Sequence, residues 1–260
     1  MKNYKKYVLV ALCLCVSLLL NGVYVKGYAD SSPSDVKIGS YVTFGTYPQE
    51  KSGKDKTPVE WLVLDIDGDN ALLISRYCLD AQRYNYSMEY VSWEDCSLRL
   101  WLNDTFLNTA FTDEEQSSIL VTDVDNSKKQ SDILSKERSK SLYPNKLVNG
   151  NNTKDKIFLL SCAEVTEYFG ITTEYDYYKS PQAHAEVTKY AIAQDALSVS
   201  AEGKKLGLWW LRSPGAAYNA AASVFCGAQI IGTSSVLLTT YSVRPAMWVN
   251  IDSEVFRSEN

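Results

Sequence analysis

Between Val36 and Tyr47 apolar positions alternate with small or polar ones, Ile38, Tyr41, Val42 and Phe44 leading, which predicts a bent strand or a strand pair. Val59 to Ile66 and Ala71 to Ser75 read as strands joined by Asp67-Gly68, a dipeptide suited to a tight hairpin turn. The Asp65, Asp67, Asp69 series also suggests a calcium loop. It departs from that pattern, because glycine falls fourth instead of sixth and Arg76 takes the place of the twelfth-position glutamate. After Ser92 the period changes. Ser92 with Glu94 and Asp95 predicts a helix start, and Leu98, Trp101 and Leu102 then share one face. Thr112 to Glu115 has capping-box spacing and leads into Ile119 and Leu120, and Ser161 to Glu164 opens a third helix ending near Gly170. From Trp209 onward short apolar runs recur between Gly and Ser-rich turns, the pattern of a compact antiparallel sheet. Strands, helices and strands in that order predict an α+β class.

Two stretches stand outside this pattern. Residues 125–156 are polar and lysine-rich and read as a long surface excursion. At the N-terminus Lys2, Lys5 and Lys6 precede an uncharged apolar run from Tyr7 to Leu20, shorter than the ~20 residues of a membrane span. It fits an export signal over 1–29, with Gly27-Tyr28-Ala29 at the cleavage point. The rival reading is an uncleaved anchor extended through Val23 to Val25. The expected organisation is therefore a leader at 1–29, a short linker at 30–35, one α+β domain over 36–251 and a tail at 252–260. Secretion or extracytoplasmic display follows, with membrane attachment only through the N-terminal segment.

Charge narrows the partners. Of 26 basic and 31 acidic residues, cleavage removes four lysines and no acids, leaving 22 basic against 31 acidic, a net charge of −9. Nucleic acid and anionic membranes call for clustered Lys and Arg, so neither is an expected partner. Cofactor chemistry is not expected either. His184 is the only histidine, no CxxC occurs, and a Cys/His zinc site or a serine–histidine dyad has little to draw on. Cys78, Cys96, Cys162 and Cys226 remain after the leader; wide spacing favours buried thiols over disulfides.

The most distinctive runs are Trp209-Trp210-Leu211-Arg212-Ser213-Pro214-Gly215 and Val243-Arg244-Pro245-Ala246-Met247-Trp248-Val249. Arginine among such apolar neighbours needs fixed partners. Arg212 and Arg244 could grip an anionic ligand, or hold carbonyls and acids such as Glu60, Glu94 or Asp95. Trp209 and Trp210 would point to opposite faces of a strand, leaving one free to stack on a sugar ring, or both packed in a two-sided core. Tyrosines cluster in two loops, Tyr84, Tyr86 and Tyr90 in one and Tyr168, Tyr175, Tyr177, Tyr178 and Tyr190 in the other. Tyrosine-rich loops suit ligand surfaces.

These runs, with Val42 to Gln49, Val59 to Leu64 and the Trp93 to Asn103 segment, resemble a family of exported bacterial domains of unknown function. More remotely, the order of motifs is similar to the C-type-lectin-like and formylglycine-generating-enzyme superfold. That resemblance implies short helices packed on a twisted, mostly antiparallel and irregular sheet, with Trp61, Trp101, Arg244, Pro245 and Trp248 as structural residues. The calcium-dependent sugar tripeptides of C-type lectins do not occur, and Cys226 stands 64 residues after Cys162, unlike the close cysteine pair of the oxidases. The expected function is a binding or interaction module for a cell-surface or dietary glycan or a protein. Trp209, Trp210, Arg212, Tyr84, Tyr86, Tyr177 and Tyr178 are the candidate ligand contacts. No catalytic residue, metal or cofactor is assigned. The alternative is an extracytoplasmic enzyme, either a carboxylate-dependent glycan hydrolase or a divergent oxidase.

Overall fold

A computed structural model describes residues 36–140, 149–175, 180–226 and 228–259. The expected leader and linker, and Tyr177 and Tyr178, lie outside them. The chain opens with β1 (Tyr41–Tyr47), β2 (Thr57–Asp67), β3 (Asn70–Ser75) and the short β4 (Asp80–Ala81). A helical stretch follows: α1 (Ser97–Trp101), a π turn (Leu102–Phe106), α2 (Leu107–Ala110) and α3 (Asp113–Ser118). Next come β5 (Thr122–Val124), a 3-10 segment (Lys128–Leu134), α4 (Ser135–Arg138), β6 (Thr153–Asp155), α5 (Cys162–Phe169) and α6 (Lys189–Ala193). The last part holds β7 (Ser198–Ala201), β8 (Lys204–Gly207), β9 (Trp209–Pro214), β10 (Ala220–Phe225), β11 (Gln229–Ser235), β12 (Ser242–Val243), β13 (Ala246–Asn250) and α7 (Glu254–Glu259).

Two sheets carry the fold, one ordered β1-β2-β3-β13 and the other β11-β10-β9-β12-β4. Among the described residues the strand pairings within these two sheets are antiparallel except the Ser242–Trp209 bridge between β12 and β9. The class is α+β, as the sequence pattern implies. Val59, Trp61, Leu62, Val63 and Leu64 are all buried, because both faces of β2 are covered, and that is why the run reads as continuous rather than alternating. Gly68, with φ +58, makes the turn into β3. Gly45, with φ +67, sits at a bulge in β1 where a Cβ would stand 2.5 Å from the Phe111 ring.

Four tryptophans fill the core, and each buried indole N–H finds an acceptor. Trp61 donates to the Phe44 carbonyl (2.8 Å), Trp93 to Asp155 (2.9 Å), Trp209 to the Ala183 carbonyl (3.3 Å) and Trp210 to the Gln82 carbonyl (2.8 Å). Trp101 and Trp248 are half-buried and pack against the same core.

Both capping boxes form, at Thr112 with Glu115 and at Ser161 with Glu164, and Gly170 closes α5 in the left-handed region (φ +65). Ile119 and Leu120 fall beyond α3, where Leu120 N–H donates to the Trp248 carbonyl. The first helix starts later than its acids suggest, at Ser97, with the Cys96 sulfur accepting from Arg99 N–H. Glu94 is engaged elsewhere: its carboxylate takes the backbone and side-chain N–H groups of Asn151, which hold its pKa below the ordinary carboxylate range. The π turn that follows offers Asn103, whose side chain meets Lys156 and Ile157 backbone groups at 2.8–3.1 Å.

The described parts of the 125–156 stretch, 125–140 and 149–156, are better anchored than their composition implies. β5 pairs with β6, Asn126 and Asn149 bridge the two ends, and Leu134 is fully buried. The stretch expected as a tail carries α7, whose Phe256 packs 5.4 Å from the Phe44 ring.

Candidate functional site

Arg212 ends up deep inside, on β9. Its guanidinium donates to both carboxylate oxygens of Glu164 (2.7 Å to Oε1), to the Leu159 carbonyl (2.9 Å) and to the Asp125 carbonyl (3.0 Å). Glu164 thereby serves two purposes, since the same side chain closes the capping box on Ser161 N–H (2.8 Å). Around this ion pair Ser213 Oγ donates to the Gln130 carbonyl, and Gln130 in turn contacts Asp125 and Ser161. The recess lined by Asn126, Gln130, Asn149, Arg212, Ser213 and Pro214 has no room for even a water-sized sphere. Ligand pockets commonly run to roughly 300–1,000 Å³. Arg212 here pins the base of the 125–156 segment to α5 and β9.

Arg244 is buried as well, with no acid beside it. Its Nε donates to the Ser75 carbonyl (2.8 Å), and its guanidinium lies 5.0 Å from the Trp209 ring and 5.5 Å from Phe169. Burial lowers its pKa to about 10, so it stays charged at neutral pH. None of the expected acids serves these two arginines. Glu60 pairs with Arg76, Glu94 with Asn151, and Ser92 Oγ reaches Asp95.

Trp209 and Trp210 are both fully buried, as in the two-sided-core reading, and this removes both as ligand contacts. The second sheet is covered on both sides, so the alternation of a strand exposes neither indole. Tyr84 is buried too, its hydroxyl donating to the Arg212 carbonyl (2.8 Å) and its ring packed edge-on against Trp210 at 5.6 Å. Of the candidate contacts that the structure describes, only Tyr86 is exposed, at 67%.

The two tyrosine loops are not brought together. Asn85 N–H donates to the Val236 carbonyl, just past β11, whereas Ile230 N–H and the Gln229 side chain bond to Thr172 and Thr173 at that strand's other end. Six residues of extended strand separate these points by about 20 Å. Tyr175, exposed, belongs to the far end. The cysteines separate in a similar way. Cys162 N–H meets Ser213 Oγ at one end of β9, and Cys226 packs with Leu206 and Leu208 near the other. All four are buried thiols, and burial raises Cys78 to about 11 and Cys96 to about 12. His184 is half-buried rather than the exposed loop residue its polar surroundings suggest.

A surface that the tyrosines alone do not reveal forms around residues 236–241. This loop accepts from Asn85 N–H at Val236, from Gln82 N–H at Tyr241 and from Leu197 N–H at Thr240 (2.8 Å). It therefore lies between the Tyr86 loop and the start of β7. Tyr86 and Met88 are exposed on one flank, Leu238 on the loop, and Leu197 and Val199 on the other flank. The sequence carries a weak sign of it, single aliphatic residues set among serines and threonines.

The model of the family called Domain of unknown function (DUF6273) matches residues 68–251, a span holding both arginine signatures and all of the second sheet. The chain belongs to the DUF6273 family. β1 and β2, which complete the first sheet of this DUF6273 chain, precede the matched span, as do the Val42 to Gln49 and Val59 to Leu64 runs. No curated protein and no solved structure matches the chain.

Proposed function

We propose that this DUF6273 chain is an exported binding or interaction module with a C-type-lectin-like arrangement, acting outside the cytoplasm on a protein or glycan at the cell surface. One observation carries this reading. Tyr86, Met88, Leu238, Leu197 and Val199, five large exposed apolar residues from three separate segments, gather along one loop. Isolated exposed apolar residues need no explanation, but a gathered set marks an interaction surface. Tyr86 and Met88 bring adaptable contact area, and the three aliphatic residues suit the apolar part of a protein partner.

The test uses the full chain, applied to intact bacterial cells and to a glycan array with and without calcium. Binding is expected, and Met88→Asp combined with Leu238→Asp should abolish it while the thermal midpoint stays near that of the parent. Undiminished binding by a folded double variant would remove this rim from the reading.

A further inference from the structure

On the first sheet a second surface is built from β1, β2 and the residues that follow β3. Tyr41 is 46% exposed and lies under Arg76, whose guanidinium carbon is 4.7 Å from the Tyr41 ring centroid and 5.2 Å from that of Tyr77. Glu60 faces the same arginine from β2, and both its oxygens accept from the single nitrogen Nη1, at 3.0 and 3.1 Å. That geometry fixes the arginine with one nitrogen and does not engage Nε–H or Nη2–H. The pair is open, with Arg76 and Glu60 side chains 40% and 38% exposed. Glu186, paired with Lys204 at 3.2 Å, lies within electrostatic reach of the Tyr77 hydroxyl.

We propose that Tyr41, Glu60, Arg76 and Tyr77 form a platform that binds a neutral sugar chain. A sugar hydroxyl both donates and accepts, and Arg76 beside Glu60 presents fixed donors next to a fixed acceptor, the complement of two neighbouring hydroxyls. The exposed part of the Tyr41 ring supplies an apolar surface for the C–H side of a pyranose, and contact of both rings with the guanidinium holds the donors in place before the ligand arrives. An anionic chain fits less well. Glu60 already neutralises Arg76, and the whole chain is net acidic at −5.

This assignment uses none of the rim residues, so the two can fail separately. The full chain is run in native gels cast with a soluble neutral polysaccharide (galactomannan, xyloglucan or laminarin) or with polygalacturonate. Retardation by at least one neutral polymer is expected, with little by polygalacturonate. Tyr41→Ala and Arg76→Ala should each weaken the apparent affinity by about tenfold or more. Arg76→Lys, which keeps charge but loses the planar fork, should weaken it as well, and Tyr41→Phe should retain it. Circular dichroism of each variant checks folding. Met88→Asp with Leu238→Asp should leave retardation unchanged. No retardation by any neutral polymer, retardation only by polygalacturonate, or loss on the rim variant with none on Tyr41→Ala would each overturn the platform.

Discussion

Arg212, on β9, and Arg244, between β12 and β13, sit in sister motifs and are equally hidden, yet they are held in different ways. Arg212 faces a carboxylate and two carbonyls, so its charge is matched and both its Nη groups are directed, and among the described residues only its Nε is left buried without a hydrogen bond. Arg244 has one carbonyl and two aromatic rings, with its Nη1 left buried and without a hydrogen bond. The first is a joint whose removal strands other polar groups. The second is closer to a flat spacer between Trp209 and Phe169 that happens to carry charge. Removing one member of a buried pair costs several kcal/mol, whereas replacing a poorly paired buried charge by an apolar side chain is often close to neutral.

That contrast can be broken by measurement. The largest effect is expected for Arg212→Met, which leaves Glu164 and the Asp125 and Leu159 carbonyls without their donor. Urea unfolding should show a loss of about 3–5 kcal/mol. Glu164→Gln isolates the charge, because glutamine can still close the capping box, and a loss of about 1.5–3 kcal/mol is expected. For Arg244→Met the expected change is within about 1 kcal/mol of the parent. A cost matching that of Arg212→Met would show that the rings and one carbonyl serve Arg244 as well as an acid serves Arg212.

Asp80 extends the comparison to a buried acid without a cation. It accepts from the Tyr47 hydroxyl (2.5 Å), Ala81 N–H and the Gln82 side chain, and burial nonetheless raises its pKa. The folded chain therefore keeps this proton over a pH window in which the unfolded chain has lost it. Stability should fall as pH climbs from the ordinary carboxylate value to the raised one, then level off. Urea midpoints taken across that window should decline for the parent and stay flatter for Asp80→Asn. The smallest effect belongs to the exposed cation. Arg76→Ala should change stability by less than about 1 kcal/mol, since an open ion pair contributes little.

The sequence was most legible where one local rule governs one element. Thr112 with Glu115, Ser161 with Glu164, Gly170 and the Asp67-Gly68 turn are set by chemistry within a few residues, and all are found where spacing places them. Reading failed where a residue serves a distant segment. Glu94 looks like a first-turn acid, but it is occupied by Asn151; Glu164 looks fully explained by its cap, but it also holds Arg212. The tryptophan pair left two readings open for a related reason. Alternation says that two adjacent side chains part company, not whether each side is wet, and here both sides are covered. Likewise the binding surfaces come from residues far apart in the chain. Tyr41, Glu60 and Arg76 meet only through strand register, and Tyr86 nears Leu238 only through a backbone bond at Val236.

The place of β13 has a consequence for how the protein is made. It pairs Ala246 with Ile74 and Asn250 with Asn70, so the inner edge of β3 receives its partner from a strand synthesised long after β3 itself. Until then β1 to β3 form a ribbon with Leu72, Leu73 and Ile74 along an open edge, the kind of surface that invites pairing with other chains. Such long-range closure is slow compared with local helix formation. A nascent chain halted short of residue 246 should be a far better chaperone client, and far more prone to aggregate, than one released a few residues later.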